Sequence, residues 1–237
     1  MKNEFICLTA LLTLVGGTST AQADLWNIGS ATYSGEGHNL IYDTDQQLTF
    51  FDYTNDNAHW QPQMDWAGSL SLAVTLNAGY SASIDWLTGW RLPEVDDPER
   101  DLALGIYNDT NSELGRLYYD ALNNTAGHDG NTYTPFEDLR DITQRTGSYW
   151  TGSIATQNAN IVWDFSLYNG ERAVAIINSN PEIPLGNLPG LAVHDGVVTY
   201  SDGGNPPDPI PEPATILLFG AGLAGLAGYR RRQSKKK

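Results

Sequence analysis

The residues able to carry chemistry are scattered along this chain. Its four histidines, His38, His59, His128 and His194, form no i, i+4 pair, and the single cysteine, Cys7, lies close to the N-terminus. A zinc site needs such ligands clustered, so none is supported, and each histidine reads as an isolated surface or turn residue. No Gly-x-Ser-x-Gly elbow and no phosphate-cradling loop occurs. Carboxylates are plentiful, but glycoside hydrolysis needs two at a set separation, and no spacing singles out a pair. Asp96, Asp97 and Asp101 crowd one stretch with Glu99, and Asp43 and Asp45 another. Hard oxygen ligands suit Ca²⁺, so Asp96, Asp97 and Asp101 are the candidate metal ligands. The sequence otherwise calls for no cofactor and no catalytic residue. Trp26, Trp60, Trp86 and Trp163 are sugar-stacking candidates by residue type, although Trp163 alternates with Phe165 as a core strand would.

Two further groups stand out by their order. Trp90-Arg91-Leu92-Pro93 and Tyr149-Trp150-Thr151-Gly152-Ser153 combine large apolar rings with few polar atoms. Such residues suit core positions near strand ends, and Arg91 suits an internal carboxylate that pins a loop.

The ends of the chain address it. Residues 1–23 carry Lys2, an apolar stretch too short to span a bilayer, and Ala21-Gln22-Ala23. This is the pattern of a secretory signal cut after Ala23 by signal peptidase. Residues 201–210 are rich in Pro, Gly and Asp and read as a linker. Pro211-Glu212-Pro213 follows, then 16 uncharged residues, 214–229, then Arg230, Arg231, Arg232 and three lysines. As a helix the uncharged stretch spans about 24 Å, enough to cross a membrane with some snorkelling. The cations behind it stay cytoplasmic and leave the preceding domain outside.

Pro-Glu-Pro, an apolar span and an arginine cluster in that order resemble the PEP-CTERM sorting signal of Gram-negative, exopolysaccharide-producing bacteria. The resemblance implies processing by an exosortase near the motif. It also implies a location at the cell surface, outer envelope or extracellular matrix.

Between the ends, residues 24–211 hold 26 Asp and Glu against 6 Arg and no Lys, a net of −20. A field of that sign excludes nucleic acid as a partner. No cysteine lies in this stretch, so no disulfide forms. Residues 39–43 and 47–53 predict two strands joined by a turn at 43–46. Pro62 opens a predicted helix carrying Trp66, Leu70, Ala73 and Val74 and ending at Asn77-Ala78-Gly79. Trp86, Trp90 and Leu92 predict a short buried strand before Pro93. Leu114, Leu117, Tyr118 and Ala121 mark a second amphipathic helix. Residues 123–134 predict a loop and 135–142 a short helical turn or two. Residues 148–154, 160–168, 172–178 and 191–200 predict strands, with Asn169-Gly170 as a hairpin turn. Helices first and strands later give an α+β class.

The order of Ile41-Tyr42-Asp43, Leu48-Thr49-Phe50, Trp66-Ala67, Trp90-Arg91-Leu92-Pro93, Tyr149-Trp150-Thr151-Gly152-Ser153 and Ala192-Val193-His194-Asp195-Gly196 resembles the Lcl C-terminal-like bacterial domain over residues 40–197. Phe50, Glu94 and His194 depart from its usual Trp, Thr and Arg. The resemblance implies a C-type-lectin-like α+β domain with two amphipathic helices and a mainly antiparallel sheet, here followed by one C-terminal transmembrane helix. The expected organisation is a signal peptide at 1–23, an exported domain at 24–200, a linker at 201–210 and a sorting tail at 211–237. The expected function is a non-catalytic surface or matrix module that associates with exopolysaccharide or envelope. An extracellular polysaccharide hydrolase and a purely structural or adhesive protein are the alternatives.

Overall fold

The computed structural model describes residues 24–98, 105–127, 136, 147–155, 160–177 and 187–201. The described residues open with three antiparallel strands, β1 (Leu25–Tyr33), β2 (Glu36–Asp43) and β3 (Leu48–Ala58). Helix α1 (Trp60–Ser69) and the short strands β4 (Val74–Leu76) and β5 (Tyr80–Ala82) follow. After α2 (Glu113–Arg116) and a π-helical turn (Leu117–Ala121) come β6 (Ser148–Ile154), β7 (Ile161–Ser166) and β8 (Arg172–Ile176). Strands β9 (Leu188–Asp195) and β10 (Val198–Tyr200) complete the described elements. They build a five-stranded sheet, β4-β1-β2-β3-β9, a three-stranded sheet, β6-β7-β8, and a two-stranded ribbon, β10-β5. Every strand pair is antiparallel.

The central strands carry adjacent apolar residues, Leu40-Ile41-Tyr42, Phe50-Phe51 and Leu191-Ala192-Val193, because both of their faces are covered. Ile41, Phe50 and Val193 pack into one core with Leu117, Tyr118, Tyr149 and Phe165. Their neighbours Leu40, Phe51 and Ala192 point the other way, into a second core with Trp60, Ala67, Trp90, Leu92 and Trp150. Phe50 and Phe51 are each wholly buried, worth about 2–3 kcal/mol apiece in apolar transfer. The turn before β3 is set by Asp43, whose Oδ1 accepts from the backbone N–H groups of Asp45 and Gln46, both at 3.0 Å.

The α+β expectation with a pair of amphipathic helices is overturned. The described residues are mostly antiparallel β-sheet. Helix α1 buries Trp60, Gln63 and Ala67, so its inner face carries a polar residue. It ends at Ser69 because Leu70 turns extended at φ −62°, ψ 131°, and Val74 enters β4 instead of continuing the helix. The segment expected as the second helix has four α-helical residues before the π-helical turn. It buries Glu113, Leu114, Gly115, Leu117, Tyr118 and Ala121, nearly all round rather than on one stripe. The stretch before Pro93 forms a single bridge, Arg91 to Val193, rather than a strand. The run at 191–200 is two strands parted at Gly196, φ +145°. Strand β6 spans the expected residues, and the β7–β8 hairpin turns at Gly170, φ +76°.

Among the described residues no helix is long and apolar enough to cross a membrane. The expected span at 214–229 lies outside them, as do the signal segment, the linker beyond Ser201 and the sorting tail.

Candidate functional site

Arg91 is held between two carboxylates from distant parts of the chain. Its backbone N–H donates to the Val193 carbonyl at 3.0 Å and its carbonyl accepts from Val193 N–H at 2.8 Å, fixing the loop beside β9. The guanidinium forks onto Glu113 at 2.8 and 2.7 Å and onto Asp195 at 2.9 and 2.7 Å. The fifth N–H reaches the Leu92 carbonyl at 3.2 Å. A guanidinium has five N–H donors, so none is left for a bound anion. Burial works to lower the Arg91 pKa, but the bonds to Glu113 and Asp195 outweigh it and raise it above the ordinary arginine value. Glu113 also accepts from Glu94 N–H at 2.8 Å. It therefore ties α2 to the loop as well as neutralising the cation.

The two signature segments are brought together. Pro93 C=O accepts from Gly152 N–H at 2.7 Å, and Val95 N–H donates to Ser153 Oγ at 2.8 Å. Thr151 is buried and its hydroxyl donates to the Trp163 carbonyl at 2.8 Å, while its own carbonyl accepts from Trp60 Nε1 at 2.7 Å. Tyr149 OH lies 2.9 Å from Thr54 Oγ1, and Trp90 Nε1 donates to the Trp86 carbonyl at 3.0 Å. Trp90, Leu92, Tyr149 and Trp150 are buried. These bonds tie the loop at 91–95 to β9, α2 and β6, and tie β6 to β3, α1 and β7.

Histidines 38 and 194 are buried, contrary to the surface or turn reading. The loop at 85–89 closes over His194, whose ring lies 5.5 and 5.2 Å from those of Trp86 and Trp90. Its Nε2 is 2.7 Å from the Thr88 carbonyl oxygen and its Nδ1 2.6 Å from that of Asp195. His128 lies outside the described residues.

Asp96 is ion-paired with Arg116, which also donates to Gln46 Oε1 at 2.9 Å. Gln46 in turn donates to Asp43 at 2.8 Å. The two acidic stretches weighed as calcium ligands are thereby linked through Arg116 and Gln46. Asp97 is exposed and Asp101 lies outside the described residues. No group of three His, Cys, Asp or Glu that could hold a metal occurs among the described residues.

The buried Arg172–Asp109 ion pair, 2.7 Å, went unseen in the sequence. The Arg172 guanidinium sits 4.4 Å from the Trp163 ring centroid, a cation–π geometry. Trp163 and Trp60 are core residues, whereas Trp26 and Trp86 are half-buried. Asp164, on β7, has its pKa pushed up to about 6, first by burial and further by the Glu171 charge, against a lowering hydrogen bond from Ser148.

These features define a β-sheet domain of strongly acidic composition whose most conspicuous polar residues tie its sheets together. Residues 209–232 match the PEP-CTERM protein-sorting motif, which includes Pro211, Glu212, Pro213, Arg230, Arg231 and Arg232. The chain is an exported protein that an exosortase processes and sorts to the cell envelope or surface. Comparisons with curated proteins and with solved structures found no match. The likeness of residues 40–197 to the Lcl C-terminal-like domain gained no support from these comparisons.

Proposed function

We propose that this protein is a non-catalytic surface or matrix module of a Gram-negative bacterium, associating with exopolysaccharide or envelope after removal of its sorting tail. The sorting motif at 209–232 carries the reading, because it directs the domain to the compartment where such polymers lie. In this reading residues 1–23 are removed by signal peptidase and residues 24–200 form the exported domain. Residues 214–229 hold the chain in the membrane until exosortase acts near Pro211. The use of Arg91, Glu113, Thr151 and Ser153 in internal hydrogen bonds supports a binding or scaffolding role over catalysis by those residues. A polysaccharide pull-down with the processed protein tests it. Retention on the producing cell's own polymer is expected, and absence of retention across all its polymers overturns the association.

A further inference from the structure

The surface of the second core carries three half-buried rings drawn from three elements: Tyr33 of β1, Tyr53 of β3 and Trp66 of α1. Tyr33 and Tyr53 meet edge to face at 5.0 Å, Tyr53 and Trp66 are tilted at 6.1 Å, and Trp66 Nε1 donates to Tyr33 OH at 3.0 Å. The bonded Trp66–Tyr33 pair holds the group as a rigid cluster. Two exposed carboxylates flank it. Glu36 stands opposite Tyr33 in the β1–β2 register, and Asp56 follows Tyr53 along β3. Burial first, and then Tyr33, Asp56 and Glu36, raise the Tyr53 hydroxyl pKa.

The charge of the rest of the domain narrows what such a surface can take. Residues 24–211 contain no lysine. Each described arginine is already paired, Arg91 with Glu113 and Asp195, Arg116 with Asp96, Arg172 with Asp109. The described residues thus offer no unpaired arginine or lysine for an anionic polymer, which the net charge also repels. Ring faces attract ammonium groups and stack on apolar sugar faces, and carboxylates form charge-assisted hydrogen bonds with amines.

We infer that Tyr33, Tyr53 and Trp66, with Glu36 and Asp56, form a docking surface for a glycan bearing free amino groups, a polymer of de-N-acetylated hexosamine. The inference rests on the polysaccharide association proposed above and names its chemistry. The rings supply stacking to each sugar, and the carboxylates select the charged amine over its acetylated form.

The test titrates the full chain, in detergent micelles, with a glucosamine hexamer and with its fully N-acetylated counterpart, by calorimetry at a pH that keeps the amines charged. The amine hexamer is expected to bind about tenfold more tightly than the acetylated one, and added salt to weaken it. Glu36→Gln combined with Asp56→Asn leaves the rings in place and lowers that affinity about fivefold to tenfold. Trp66→Leu, whose fold is checked by circular dichroism, weakens both hexamers. Equal affinity for the two hexamers, or a carboxamide double variant that binds as the parent does, overturns the inference. If the parent and that double variant are retained alike on the cell's own polymer, this surface is wrong while polysaccharide association stands. If the parent is retained on none, both fall.

Discussion

Replacing Arg91 with alanine tests the clamp at the centre of the fold, and the two carboxylates it holds differ enough to set the size of the effect. The Glu113 side chain is 11% exposed, whereas that of Asp195 is 66% exposed. Without Arg91, Glu113 keeps the Glu94 N–H but loses both charged donors. Stranding a nearly buried carboxylate costs about 3 kcal/mol or more. The Asp195 arm is screened by water and contributes at most about 1 kcal/mol. Arg91→Ala should therefore destabilise the domain by about 3 kcal/mol, read in urea unfolding, or lower Tm by about 6–12 °C for a domain of this size. Asp195→Asn should cost about 0.5 kcal/mol in the same assay. Arg91→Lys should recover little, because an ammonium cannot fork onto both carboxylates. Equal losses for Arg91→Ala and Asp195→Asn would refute the argument, since the cost would then not lie in the buried arm.

Other outcomes follow from single groups. Asp164 is buried, with its pKa raised from 3.8 to about 6. The folded state then holds the proton more tightly than the unfolded chain, so stability falls as pH rises from about 4 to about 6. The loss amounts to about 3 kcal/mol above that window. Asp164→Asn should abolish that slope and stabilise the neutral-pH protein by a similar amount, as measured by denaturation across pH. Thr151→Val removes the hydroxyl bonded to the Trp163 carbonyl and should cost about 1–2 kcal/mol in urea unfolding. Gly115→Ala should abolish cooperative unfolding or prevent soluble folding, because a Cβ there would collide with the Asp109 carbonyl oxygen.

What could be read ahead of the structure follows the range of the interactions. The β6 strand and the Asn169-Gly170 hairpin depend on residues near in sequence, and alternation with turn chemistry marks them. Strand β1 went unread because Gly29 and the Ser34-Gly35 turn look like loop. Gly29 is required there because a Cβ would meet Thr75 of the neighbouring strand β4. Leu70 and Val74 keep helical spacing in the sequence, yet α1 ends before them and they serve loop and strand packing instead. An arginine seeking a carboxylate was legible at position 91. Its partners lie 22 and 104 residues away, and among so many acidic residues no local pattern could single out Glu113 and Asp195. Nothing local marks His194 as buried, since the loop that covers it is about a hundred residues earlier in the chain.

The fate of the two ends decides where this domain works. Intact-mass measurement of the protein recovered from the cell surface tests it directly. The predicted form begins at Asp24 and lacks the apolar segment and basic cluster that follow the Pro211-Glu212-Pro213 motif. A surface form that still ends at Lys237 would contradict processing by an exosortase.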